Sequence, residues 1–123
     1  MHRLAHEARK SDEGAEPLGQ WDRFLTDQFA YFVRRLKDPP EGSGTLLDQT
    51  LLMFGSSNSQ THVNLNYPHL LGGGRRLGLK HGSFLQFGDE IPLLNLFVTL
   101  LNGIGVPPES FMDSTGELAE VLA

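Results

Sequence analysis

The chain has 123 residues, 39% of them apolar, with eight phenylalanines, one tryptophan and a net charge of −5. That supports one modest domain with a small core, and the acidic balance with dispersed basic residues excludes bulk attraction to nucleic acid or an anionic membrane surface. The absence of cysteine excludes disulfides, thiolate metal sites and cysteine nucleophiles.

Residues 1–17 read as a polar lead-in, with a weak helical start and then a loop at Ser11-Asp12-Glu13-Gly14; no apolar signal-peptide core follows Met1. From Pro17 a helix is predicted. Trp21, Phe24, Leu25, Phe29, Phe32, Val33 and Leu36 recur at three- and four-residue steps and so share one face. Asp38-Pro39-Pro40 stops it, because proline cannot continue the hydrogen-bond ladder. The aromatic content of residues 21–36 exceeds what a few strands can cover, so self-association through this helix is expected.

Glu41-Gly42-Ser43-Gly44 is a turn. Thr50–Gly55 is a short unbroken apolar run, which suits a strand buried on both faces of a parallel sheet. Residues 56–67 are polar and irregular. Pro68-His69-Leu70-Leu71 reads as a second strand and Phe84–Phe87 as a third, at an edge. A helix is predicted from about Pro92 to Asn102, capped by Asp89 or Glu90, and a last short helix near Thr115. The apolar run around Ile91–Leu101 is too short to span a bilayer.

Strands alternating with helices predict an α/β fold: a few short, mostly parallel strands flanked by helices. Two or three short strands make a poor independent sheet. Residues 1–123 are therefore expected to be the C-terminal segment of a larger α/β domain.

Histidine is the main chemical resource. His2 and His6, spaced i, i+4, put both rings on one helical face, close enough to share one divalent ion. His62 lies in the loop after the central strand, where α/β proteins place ligands, and a neutral imidazole there suits metal binding or acid–base work. His69 reads as a structural strand residue and His81 as exposed in a glycine-rich turn. Gly72–Gly78, with Arg75 and Arg76, offers backbone N–H groups and guanidinium forks for weak anion binding, but has neither P-loop nor dinucleotide-binding spacing. Ser114 has no nucleophile-elbow context and reads as a cap.

An ordered set of short pieces resembles a known family. Gly44–Thr50, Phe54-Gly55-Ser56, His62 with Asn64, Asn66 and Pro68, Leu70–Gly74, Pro92–Leu96, Leu100-Leu101-Asn102, Gly105-Val106-Pro107 and Ser110–Gly116 stand in the order found in bacterial proteins of domain of unknown function 1552. That family is similar to the alkaline phosphatase and sulfatase clan. The resemblance implies an alkaline-phosphatase-like layered fold and a metal-dependent hydrolase of phosphate or sulfate esters. It further implies a zinc or manganese ion held by His2, His6 and His62, a small anionic ester as substrate, and a periplasmic or exported setting. His2 would replace the acid of the clan's acid-and-histidine pair, Ser57-Asn58 carries no acid where the clan has one, and the nucleophile would lie upstream. The active site is thus expected to be incomplete, and a non-catalytic binding or structural protein is the alternative.

Overall fold

The lead-in is helical. The structure, a computed structural model, describes residues 2–58, 62–66, 68–108 and 110–123. Ser59, Gln60, Thr61 and Tyr67 of the polar loop, with Met1 and Glu109, lie outside the described residues. Helix α1 spans His2–Ala8 and α2 spans Asp12–Lys37. The expected loop at Ser11–Gly14 is instead the N-cap and first turn of α2. Ser11 is extended, its Oγ accepts the Gly14 N–H at 3.1 Å, and Asp12 and Glu13 complement the positive helix end. Pro17 is accommodated inside the helix.

α1 folds back on the start of α2, and Gly14 permits that approach, since a Cβ there would overlap the Glu7 carbonyl. Lys10 Nζ donates to Glu7 at 2.8 Å across the corner. Leu25, Phe29, Ala30, Val33 and Leu36 are half-buried against the body, whereas Trp21, Phe24, Tyr31 and Phe32 are exposed. The single apolar face read from the sequence is therefore two adjacent faces, one covered and one open.

Strands β1 (Pro40–Glu41) and β2 (Gly44–Thr45) form a tight hairpin, and β3 (Leu51–Gly55) pairs with β4 (His69–Gly73). Both pairings are antiparallel, with Leu51 opposite Gly73 and Gly55 opposite His69. This overturns the layered, mostly parallel α/β expectation: the molecule has three helices and two small antiparallel two-stranded sheets. The reason lies in the connection. Parallel neighbours need a crossover, usually a helix, and no helix is found among the described residues between β3 and β4.

The two-faced burial of β3 does hold. Leu51 and Met53 pack on the core cluster of Leu79, Leu96, Leu118 and Val121, while Phe54 stacks on Phe29 of α2, centroids 4.7 Å apart. Phe84–Phe87 forms no strand, and Phe84 is exposed. Helix α3 (Leu94–Gly103) follows, with Leu93 rather than an acidic residue at its N-cap. The last predicted helix is a single 3₁₀ turn at Ala119–Val121. It holds the tail against residues 78–80 through Lys80 N–H to Val121 O at 2.9 Å and Ala123 N–H to Gly78 O at 2.8 Å.

Candidate metal centre

Helical spacing places His2 and His6 one turn apart on α1. Their Nε2 atoms are 3.1 Å apart, one donating and the other accepting. The third ring comes from a distant part of the chain. His62, in the loop after β3, holds a left-handed backbone, φ 60°, and its ring centroid stands 5.5 Å from that of His2 and 5.3 Å from that of His6. One nitrogen from each of the three rings lies within 4.8 Å of the others. His2 and His62 are exposed and His6 is half-buried. The three residues singled out in the sequence are thus brought together.

The group is purely imidazole. Glu7, the carboxylate next to His6 in sequence, is engaged by Lys10, which holds it below its usual range. Asn58, at the place where an acid was looked for, donates its backbone N–H to Ser56 Oγ at 3.2 Å. Desolvation pushes the His6 pKa down, and the neighbouring His2, His62, Lys10 and Arg9 push it the same way. This favours the neutral imidazole, the form that ligates a metal.

Does the donor set fit an ion? Tetrahedral zinc with Zn–N near 2.0–2.1 Å spaces its nitrogens by about 3.4 Å. The His2–His6 pair lies near this at 3.1 Å, whereas the three donors together, within 4.8 Å, stand wider apart than a tetrahedral zinc site. Three imidazoles suit zinc better than manganese, which prefers carboxylate oxygen.

No family model, curated protein or solved structure matches the chain. The likeness to domain of unknown function 1552 therefore rests on the sequence pieces quoted for it. No helix among the described residues is long and apolar enough to cross a membrane.

The other candidates have structural roles. Arg76 Nη2 donates to Ser43 Oγ and lies beside Gly44, tying the β1–β2 turn to the 3₁₀ turn at Arg75–Leu77, so Arg76 is engaged within the chain. Asp48 accepts from the Thr45 N–H at 2.8 Å and its hydroxyl at 2.9 Å, which lowers its pKa. Ser114 Oγ accepts the Phe111 N–H at 3.2 Å, the capping role expected. His81 is exposed as expected, and its Nε2 bonds Gly73 O at 2.7 Å, a tie with no sequence signal.

His69 lies half-buried in β4, and burial lowers its pKa below the ordinary 6.5. The linkage sign is fixed by this direction. Where the folded pKa is depressed, the unfolded chain takes the proton first, so stability is full above pH 6.5 and is lost as pH falls from there through the folded value. The stability that Asp48 contributes is full above its ordinary 3.8 and is lost only as pH falls below it, outside this window. The urea midpoint is expected to be lower at pH 5.5 than at pH 7.5, with a smaller difference in His69→Phe; midpoints equal at the two pH values would contradict the burial of His69.

Proposed function

We propose that this chain binds a divalent transition metal, zinc foremost, through His2, His6 and His62. The observation that carries the proposal is the convergence of three imidazole donors from α1 and the loop after β3, within 4.8 Å. Bound there, a zinc ion would supply a Lewis acid with an open coordination position. The chain's own residues hold and orient it: α1 fixes the pair, Gly14 sets α1 against α2, and the loop brings His62 across.

An enzymatic extension of the same site is a segment of a phosphate- or sulfate-ester hydrolase, its nucleophile supplied from outside this sequence. The cationic site suits a small anionic ester. A binding role without catalysis needs only the three ligands, and the absence of carboxylates from the group favours it.

Competition with a chromophoric chelator at pH 7.5 tests the site. One zinc per chain is expected, with affinity reduced at least about tenfold, about 1.4 kcal/mol, in His62→Ala and in His6→Ala. Affinity unchanged in both variants would remove the site. Metal-dependent turnover of an aryl phosphate or sulfate, lost in the same variants, would favour the hydrolase extension over the binding role.

A second reading is self-association through the outward side of α2, where Trp21, Phe24, Tyr31 and Phe32 are 39–57% exposed.

A further inference from the structure

A folded chain of this size should hide more of itself. The accessible surface is 8862 Å², whereas a folded monomer of 13.6 kDa exposes roughly 6,600 Å². The excess, roughly 2,300 Å² per chain or about 4,600 Å² for a pair, is more than a standard interface takes from each partner and falls within the total range of obligate homodimers. None of the 26 residues of α2 is buried, and the helix carries the largest run of exposed aromatics.

At 100° per residue, the outward stripe of α2 reads Glu13, Pro17, Trp21, Phe24, Gln28, Tyr31, Phe32, Arg35. Trp21 and Phe24 already touch, centroids 5.8 Å apart. The stripe is acidic at its start and basic at its end, with aromatics between, and its centre falls on Phe24. Glu13 and Arg35 lie at equal distances on either side, and neither makes an ion pair among the described residues. Such a pattern is complementary to itself when reversed, the requirement of a two-fold interface.

We propose that the occupant of this face is a second copy of the chain, docked with the two α2 helices antiparallel about a two-fold axis at Phe24. This rests on the second reading above, self-association, and specifies its geometry. Phe24 meets Phe24 at the axis, Tyr31 of each copy lies against Pro17 of the other, and Glu13 of each stands level with Arg35 of the other. The helix dipoles oppose, so each charged pair also sits where the helix ends favour it. The aromatic centre supplies the affinity and the charged ends fix the direction.

Sedimentation velocity over a concentration series tests it. The parent chain is expected to be a dimer at micromolar concentration. Phe24→Asp, at an exposed position, should be monomeric with unchanged helical circular dichroism. Arg35→Glu should raise the dissociation constant about tenfold, and Glu13→Arg combined with Arg35→Glu should return it to within about threefold of the parent. A parent chain monomeric at high concentration would overturn self-association itself. A dimer that survives Phe24→Asp, or an Arg35→Glu defect that the second exchange does not repair, would overturn the antiparallel α2 interface and leave self-association standing. If Phe24→Asp fails to fold, the charge exchange decides alone.

Discussion

Gly73→Ala is expected to destabilise the protein by roughly 4 kcal/mol, enough to unfold much of a small domain. Two independent terms add at this residue. Its φ is +67°, a left-handed backbone that costs an L-residue about 1–2 kcal/mol. A Cβ there would also overlap the Thr50 carbonyl and stand 2.7 Å from Leu47 O. Both neighbours are backbone and cannot swing aside, and Leu47 O already accepts the Gly74 N–H at 3.0 Å. Neighbouring glycines separate the terms. Gly78 has φ +88° with open space around its Cβ, so Gly78→Ala should cost the strain alone, about 1–2 kcal/mol. Gly72 has no left-handed backbone, and its Cβ would meet Leu52 Cβ at an ordinary 3.8 Å, so Gly72→Ala should stay within about 1 kcal/mol of the parent. Urea unfolding of the three variants gives the comparison. Equal losses at positions 72 and 73 would refute the close approach of β4 to the turn at residues 46–50.

The glycine run also shows where sequence and structure part. Gly72-Gly73-Gly74 beside two arginines reads as a flexible loop that also holds the ingredients of a weak anion cradle, exposed N–H groups and guanidinium groups. In the structure Gly72 and Gly73 belong to β4, and Gly74 is buried, its carbonyl accepting from Leu77 and Leu79. Composition reports flexibility, and the same composition serves tight packing, so only the fold distinguishes the two.

Helical periodicity carried better. The three- and four-residue steps in 17–37 placed α2, and the i, i+4 spacing of His2 and His6 placed two imidazole rings on one face. The start of α2 was readable as well, since Ser11 followed by acidic residues is a capping signal, although Gly14 obscured it. The antiparallel pairing of β3 and β4 was not, because an apolar run looks alike in a parallel sheet and in a strand sandwiched between a helix and a core. The approach of His62 to His2 and His6 joins parts of the chain far apart in sequence. His62 was therefore identifiable as a loop residue, but its meeting with α1 was not.

Asn95 interrupts an apolar run and gave no hint of its role. Only 4% exposed, it receives the Thr115 N–H on Oδ1 at 2.8 Å and donates from Nδ2 to Thr115 Oγ1 at 3.1 Å. One turn on, Thr99 is 1% exposed; its hydroxyl donates to Asn95 O at 2.9 Å and accepts the Leu118 N–H at 2.7 Å. These side chains of α3 hold the tail that carries Leu118 and Val121, two of the four residues of the core cluster. Asn95→Ala should therefore cost roughly 3 kcal/mol: it removes the partner of the part-buried Thr115 N–H, worth about 1 kcal/mol, and loosens the two tail residues, each stabilising by about 1.5–3 kcal/mol when fully buried. Thr115→Val keeps the backbone bond and loses only the hydroxyl acceptor, so about 1 kcal/mol is expected. Hydrogen exchange locates the effect, because Leu118, Lys80 and Ala123 amides depend on a docked tail and should exchange faster in Asn95→Ala while those of α2 do not. A loss below about 1 kcal/mol, or equal acceleration in α2 and the tail, would mean that the clasp does not hold the tail separately.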